Sequence, residues 1–162
     1  MTGMEKISVL QRDEEFLSLL RRIEAAERDR VFCRHGLTHL LSTARIAWID
    51  VLENRLPLNK PVVYAAALLH DLGRAYGQTD HSAAALDACR RILLRSGFDS
   101  AEAEEILLAI RSHGDKSAPD DELSLLSAVI RRADGRSRPC YACPAAGECY
   151  WPDARRNYSI TV

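Results

Sequence analysis

Apolar residues recur along this chain at intervals of three and four, the spacing that lines one face of an α-helix. The first clear segment carries Phe16, Leu19, Leu20 and Ile23; Asp13 supplies its N-cap, and the charged stretch 27–30 closes it. A second helix is predicted over about 35–53, with Leu37, Leu40, Leu41, Ala44, Ala47, Trp48, Val51 and Leu52 forming a broad apolar face. Leu56-Pro57 breaks it. Asn59 then caps a short helix with Pro61 in its first turn, running to about residue 71. Residues 62–69 of that helix are almost continuously apolar, so it belongs at the centre. Asp80 caps a fourth helix over about 81–96, closed by Gly97. The run Asp99-Ser100-Ala101-Glu102 is a capping-box pattern that opens a fifth, ending near His113. Asp120 opens a sixth, through Leu123, Leu126, Val129 and Ile130 to about residue 134.

No alternating β-branched run competes with these helices, so the fold class is all-α, a bundle of about six helices. Beyond residue 134, Pro, Gly and Cys replace the periodic pattern with an irregular or short-helical tail. The expected organisation is a helical domain over 1–138 and a Cys-rich extension over 139–162 packed on the same domain. A length of 162 residues suits one core and hardly two.

Composition narrows the function classes. At 47% hydrophobic and 28% charged, the chain is that of a folded globular protein. With 22 basic against 23 acidic residues, a surface given over to nucleic acid is disfavoured. The longest apolar run is far short of the ~20 residues a membrane span needs, and residues 1–10 lack a signal-peptide core. A cytoplasmic protein without a membrane partner is expected. Self-association into a homo-oligomer stays open. Arginine outnumbers lysine 19 to 3, which composition bias explains as well as phosphate binding does. Five histidines and an odd count of five cysteines call for an explanation in chemistry.

His70-Asp71 ends the most apolar helix, and an unpartnered ionisable doublet there costs several kcal/mol. A helix-end ion pair would satisfy it alone. Yet His39, His81, His113 and Asp134 lie on other segments and could converge on it in a bundle. Imidazole and carboxylate together suit zinc, iron, manganese or nickel.

These residues resemble the HD superfamily of metal-dependent phosphohydrolases, with its H…HD…D signature. The matching stretches are His39-Leu40-Leu41-Ser42-Thr43-Ala44-Arg45, Ala66-Ala67-Leu68-Leu69-His70-Asp71-Leu72-Gly73 and Arg132-Ala133-Asp134, within residues 32–138. The resemblance implies a helical bundle holding an ion on His39, His70, Asp71 and Asp134. It implies a second ion where two further histidines intervene, here His81 and His113, with magnesium among the candidate metals. Thr43 replaces a common Val, and Gly135 follows the final Asp where a Lys or Arg is usual. The second change weakens any phosphate contact from that position. His35 stands one helical turn before His39 and could share its face.

The implied activity is hydrolysis of a small phosphorylated substrate, such as a nucleotide, by metal-activated water. Arg74 is the first candidate for gripping phosphate oxygens, ahead of Lys116 and Arg138. Two other classes compete: a mixed-valent di-iron oxygenase built on similar ligands, and a non-enzymatic sensor or nucleic-acid adaptor using Arg131, Arg132, Arg136 and Arg138.

The tail carries Cys140 and Cys143 as a CxxC turn, with Cys149 six positions on. Two thiolates of such a turn reach one ion, and Cys33 is the natural fourth ligand if the tail folds back. Zinc and an iron–sulfur cluster both fit these ligand types; unligated thiols are the plain alternative. Cys89, inside a helix beside Ala88, reads as core.

Overall fold

The computed structural model describes residues 2–77, 82–113 and 117–162. Among them stand seven α-helices: α1 (Gly3–Leu10), α2 (Glu14–Ala26), α3 (Leu37–Glu53), α4 (Lys60–Leu69), α5 (Ser82–Arg95), α6 (Ser100–His113) and α7 (Leu125–Arg136). The described residues contain no strand, and none of their helices is long and apolar enough to cross a membrane.

Local chemistry sets the helix ends. Asp13 Oδ1 accepts from the amides of Glu15 and Phe16 at 3.0 and 3.1 Å, satisfying two orphan donors of α2. The capping box of α6 forms in both directions. Glu102 N donates to Asp99 Oδ1 at 2.9 Å, and Asp99 N donates to Glu102 Oε2 at 3.0 Å. Gly97, at φ 84°, takes the left-handed conformation that ends α5, and Phe98 N reaches back to Leu93 O.

Several boundaries differ from the sequence expectation. The N-terminal helix α1 is an addition: Thr2 and Glu5 cap it, and Ile7 and Leu10 bury against the core beside α4. Two buried residues in eight positions were too few to read as a periodic face. The last helix begins at Leu125 instead of Asp120, because Ser124 Oγ accepts from Ser127 N while Leu123 is extended. Asp120–Glu122 forms a separate 3-10 turn. Finally, α3 begins after Gly36, so His35 precedes the helix and does not share its face.

The apolar run on α4 is central. Its residues 62–69 are buried except for Tyr64, and α4 packs against α1, α3, α6 and α7. Cys89 lies fully buried in the core, where burial pushes its thiol up to about 12. The tail after α7 runs through 3-10 turns at Cys140–Ala142, Ala146–Glu148 and Asp153–Arg155.

Candidate metal centre

The site forms where α4 stops. His70 keeps a helical conformation, but Asp71 turns out of it (φ −104°, ψ 4°) into the 3-10 segment Leu72–Tyr76. In an unbroken α-helix, neighbouring side chains diverge by about 100°. The break lets both aim at one point, with Nε2 of His70 3.0 Å from Oδ2 of Asp71. His39 enters from the first turn of α3, Asp134 from the last turn of α7. His39 Nε2 lies 3.2 Å from Asp71 Oδ2 and 3.0 Å from Asp134 Oδ1.

Among the described residues, His39, His70, Asp71 and Asp134 are the only group of three or more His, Cys, Asp or Glu with all ligand atoms within 4.8 Å of one another. Despite these approaches, His39 Nε2, His70 Nε2 and Asp71 Oδ2 are buried atoms without a hydrogen-bond partner. Such orphans are costly. Close but unaligned, they fit a shared cation in place of bonds to each other.

The histidine tautomers, assigned from their partners, point the same way. His70 Nδ1 donates to Ala67 O at 2.7 Å and His113 Nδ1 to Ile110 O at 3.0 Å. Ser137 Oγ gives its proton to Asp134 O (2.7 Å), so it accepts from His39 Nδ1 at 3.1 Å. In all three rings the outer nitrogen is tied to the protein, leaving the Nε2 lone pair for a ligand. His113 Nε2 stands 3.7 Å from Asp71 Oδ1, the oxygen turned away from His39 and His70, and its ring is 4.8 Å from that of His70.

The electrostatics favour positive charge here. Burial opposes ionisation of His70, yet the Asp71 and Asp134 carboxylates outweigh it and raise the imidazole above its usual value. Asp71 is held well below the carboxylate range against its own burial, by His70, His113 and His39. Burial also works against Asp134, and contacts from His39 and His70 still hold it low. The two ionised carboxylates that favour a proton on His70 match a divalent cation, which would take that proton's place on the ring lone pair.

The remaining candidates fall as follows. Arg74, about half exposed, donates from Nε to Asp71 Oδ1 at 3.1 Å. His81 and Lys116 lie outside the described residues, as does Asp80. Arg138 is buried and donates to Arg34 O at 2.5 Å. His35 is buried with Nδ1 2.5 Å from Glu27 Oε1, while its amide donates to Glu27 Oε2; its ring stands edge-on to His39 at 5.7 Å. Burial lowers its pKa to about 4. The thiols of Cys33, Cys140, Cys143 and Cys149 are free and line one cavity of about 800 Å3 that extends to His39.

Two supporting residues escaped the sequence reading. Ser137 lies one turn beyond Asp134, so helical spacing alone could have marked it. Glu27 was read only as part of a charged helix end, and nothing in its neighbourhood signalled a partner at His35.

The HD domain family model matches residues 36–138, and the chain belongs to that family. A Clostridium beijerinckii protein with no activity in its name is 33% identical over 160 residues, 97% of this chain and 99% of its own. A Bacillus subtilis protein named as a phosphohydrolase, YueE, is 29% identical over 62% of this chain and 65% of its own length. Ribonuclease Y of Frankia casuarinae is 32% identical over 61% of this chain, which spans only 14% of that protein. No solved structure matches. The family match and the phosphohydrolase name support a metal-dependent hydrolase at the family level.

Proposed function

We propose that this chain is a metal-dependent phosphohydrolase acting on a nucleotide or another small phosphate ester or anhydride, in the cytoplasm. The observation that carries the reading is the convergence of buried, unpartnered Nε2 and Oδ2 atoms from His39, His70 and Asp71 beside Asp134. These four residues would hold iron, manganese, zinc, nickel or magnesium. When bound, the ion supplies a water whose pKa falls from about 15.7 toward 7 and a positive centre for phosphoryl oxygens.

The chain's own residues do the rest. Ser137 and the carbonyls of Ala67 and Ile110 fix the imidazole tautomers. Asp71 presents Oδ2 to the first site and Oδ1 toward His113, an arrangement suited to a second ion shared with His113 and His81. Arg74 sits at the rim, where its guanidinium can take up phosphate oxygens.

The oxygenase reading would use the same ligands, and oxygen dependence separates the two. The test is phosphate release from a panel of nucleotides and simple phosphate monoesters, without oxygen and with each metal added in turn. Metal-dependent release that vanishes in Asp71→Ala supports the proposal. Release that persists in that variant, or turnover that occurs only with oxygen, contradicts it.

A further inference from the structure

We propose that Cys33, Cys140, Cys143 and Cys149 bind an iron–sulfur cluster, a second centre separate from the His/Asp site. Three of these cysteines come from the tail and one from the segment before α3, and the fold brings all four to one cavity. That meeting is held by specific bonds. Arg138, just ahead of the CxxC turn, donates to Arg34 O, and Arg30 Nε donates to Cys33 O at 2.7 Å. Arg156 clamps the loop around Cys149 by donating to the carbonyls of Trp151, Ala146 and Cys149 at 2.9, 3.4 and 2.6 Å. Two arginines of the tail and one of the segment before α3 thus fix the backbone around these thiols.

The environment suits thiolate ligands. Cys140–Ala142 is a 3-10 turn with Cys143 N bonded to Cys140 O, and both cysteines of the CxxC line the same cavity. Trp151 N donates to Cys149 Sγ at 3.4 Å, the amide-to-sulfur contact that stabilises charge on a ligating sulfur.

The spacing separates a cluster from a lone zinc ion. Zinc holds each thiolate at about 2.3 Å, so its sulfurs sit about 3.8 Å apart. Here no three cysteine sulfurs lie within 4.8 Å of one another, although all four line the same cavity. A four-iron cluster binds each thiolate through its own iron, so its sulfurs stand farther apart than around a single zinc ion. The cavity continues to His39, so the cluster would wall one side of the cleft over the hydrolytic centre.

Acid-labile sulfide is the decisive readout, because an ion at the His/Asp site brings none. The full chain is purified without oxygen and assayed for iron, zinc, sulfide and visible absorption. Iron and sulfide in equal molar amounts are expected, lost in Cys33→Ser and in Cys143→Ser. Both should be retained in Cys89→Ser, which controls for thiol replacement, and in Asp71→Ala, which removes the other centre. Zinc without sulfide would overturn the cluster. So would the absence of sulfide from wild-type protein, or its survival in both Cys33→Ser and Cys143→Ser. Wild-type protein that carries iron and sulfide but releases no phosphate would count against the phosphohydrolase reading alone.

Discussion

Arg74 donates through Nε to Asp71 Oδ1 at 3.1 Å, the same oxygen that faces His113 Nε2 at 3.7 Å. One carboxylate oxygen thus serves either the rim arginine or a ligand pair with His113, while its twin points at His39 and His70. Removing the arginine charge should weaken substrate capture more than chemistry. Arg74→Gln is expected to raise KM about tenfold, roughly 1.4 kcal/mol, with a smaller change in kcat, in steady-state phosphate release.

His113→Ala tests the second ion. Its Nε2 contributes to Asp71 but not to the four-residue group around Oδ2. The variant should lose one metal ion of two in elemental analysis while retaining the other. Unchanged stoichiometry would assign His113 to packing.

The ion pair between Arg132 and Asp50 joins α7 to α3, with Nη2 to Oδ2 at 2.7 Å. Asp50 is buried, and Asn54 Nδ2 satisfies its other oxygen at 2.8 Å. Arg132→Met leaves that carboxylate short of its charged partner and should cost about 1–3 kcal/mol in urea unfolding. Arg131 and Arg136 are likewise engaged, with Ala118 O and Val162 O.

Most of this fold was legible because it rests on short-range chemistry. Asp13, Gly97 and the Asp99–Glu102 box all work within a few residues of themselves, and each does what its residue type suggests. The His/Asp site was legible through His70-Asp71, a doublet too costly to leave at the end of an apolar helix without partners. What escaped depends on tertiary neighbours. Glu27 meets His35 only once α2 and the α3 entry are packed, and α1 becomes a helix with a buried face only against α4. The break at Asp71 was read as helix, although it is what aligns the two ligands.

Asp13 links a helix cap to a charge pair, since its carboxylate also accepts from Arg95 at 2.8 and 2.9 Å. Chiefly that Arg95 contact holds its pKa below the usual value, so the folded state favours the ionised form. The stabilisation is complete above an unfolded pKa near 3.9 and fades as pH falls through the lower folded value. Asp13→Ala should cost about 1 kcal/mol at pH 7, and the difference from wild type should shrink in unfolding curves taken below about pH 4.

The most direct test of the hydrolytic centre is elemental analysis of Asp71→Ala beside the wild-type chain, with phosphate release measured on the same samples. Asp71 supplies the oxygen that His39 and His70 both face. The variant is expected to lose the metal that is not accompanied by sulfide, and hydrolysis with it. Wild-type metal content and turnover in Asp71→Ala would contradict the account.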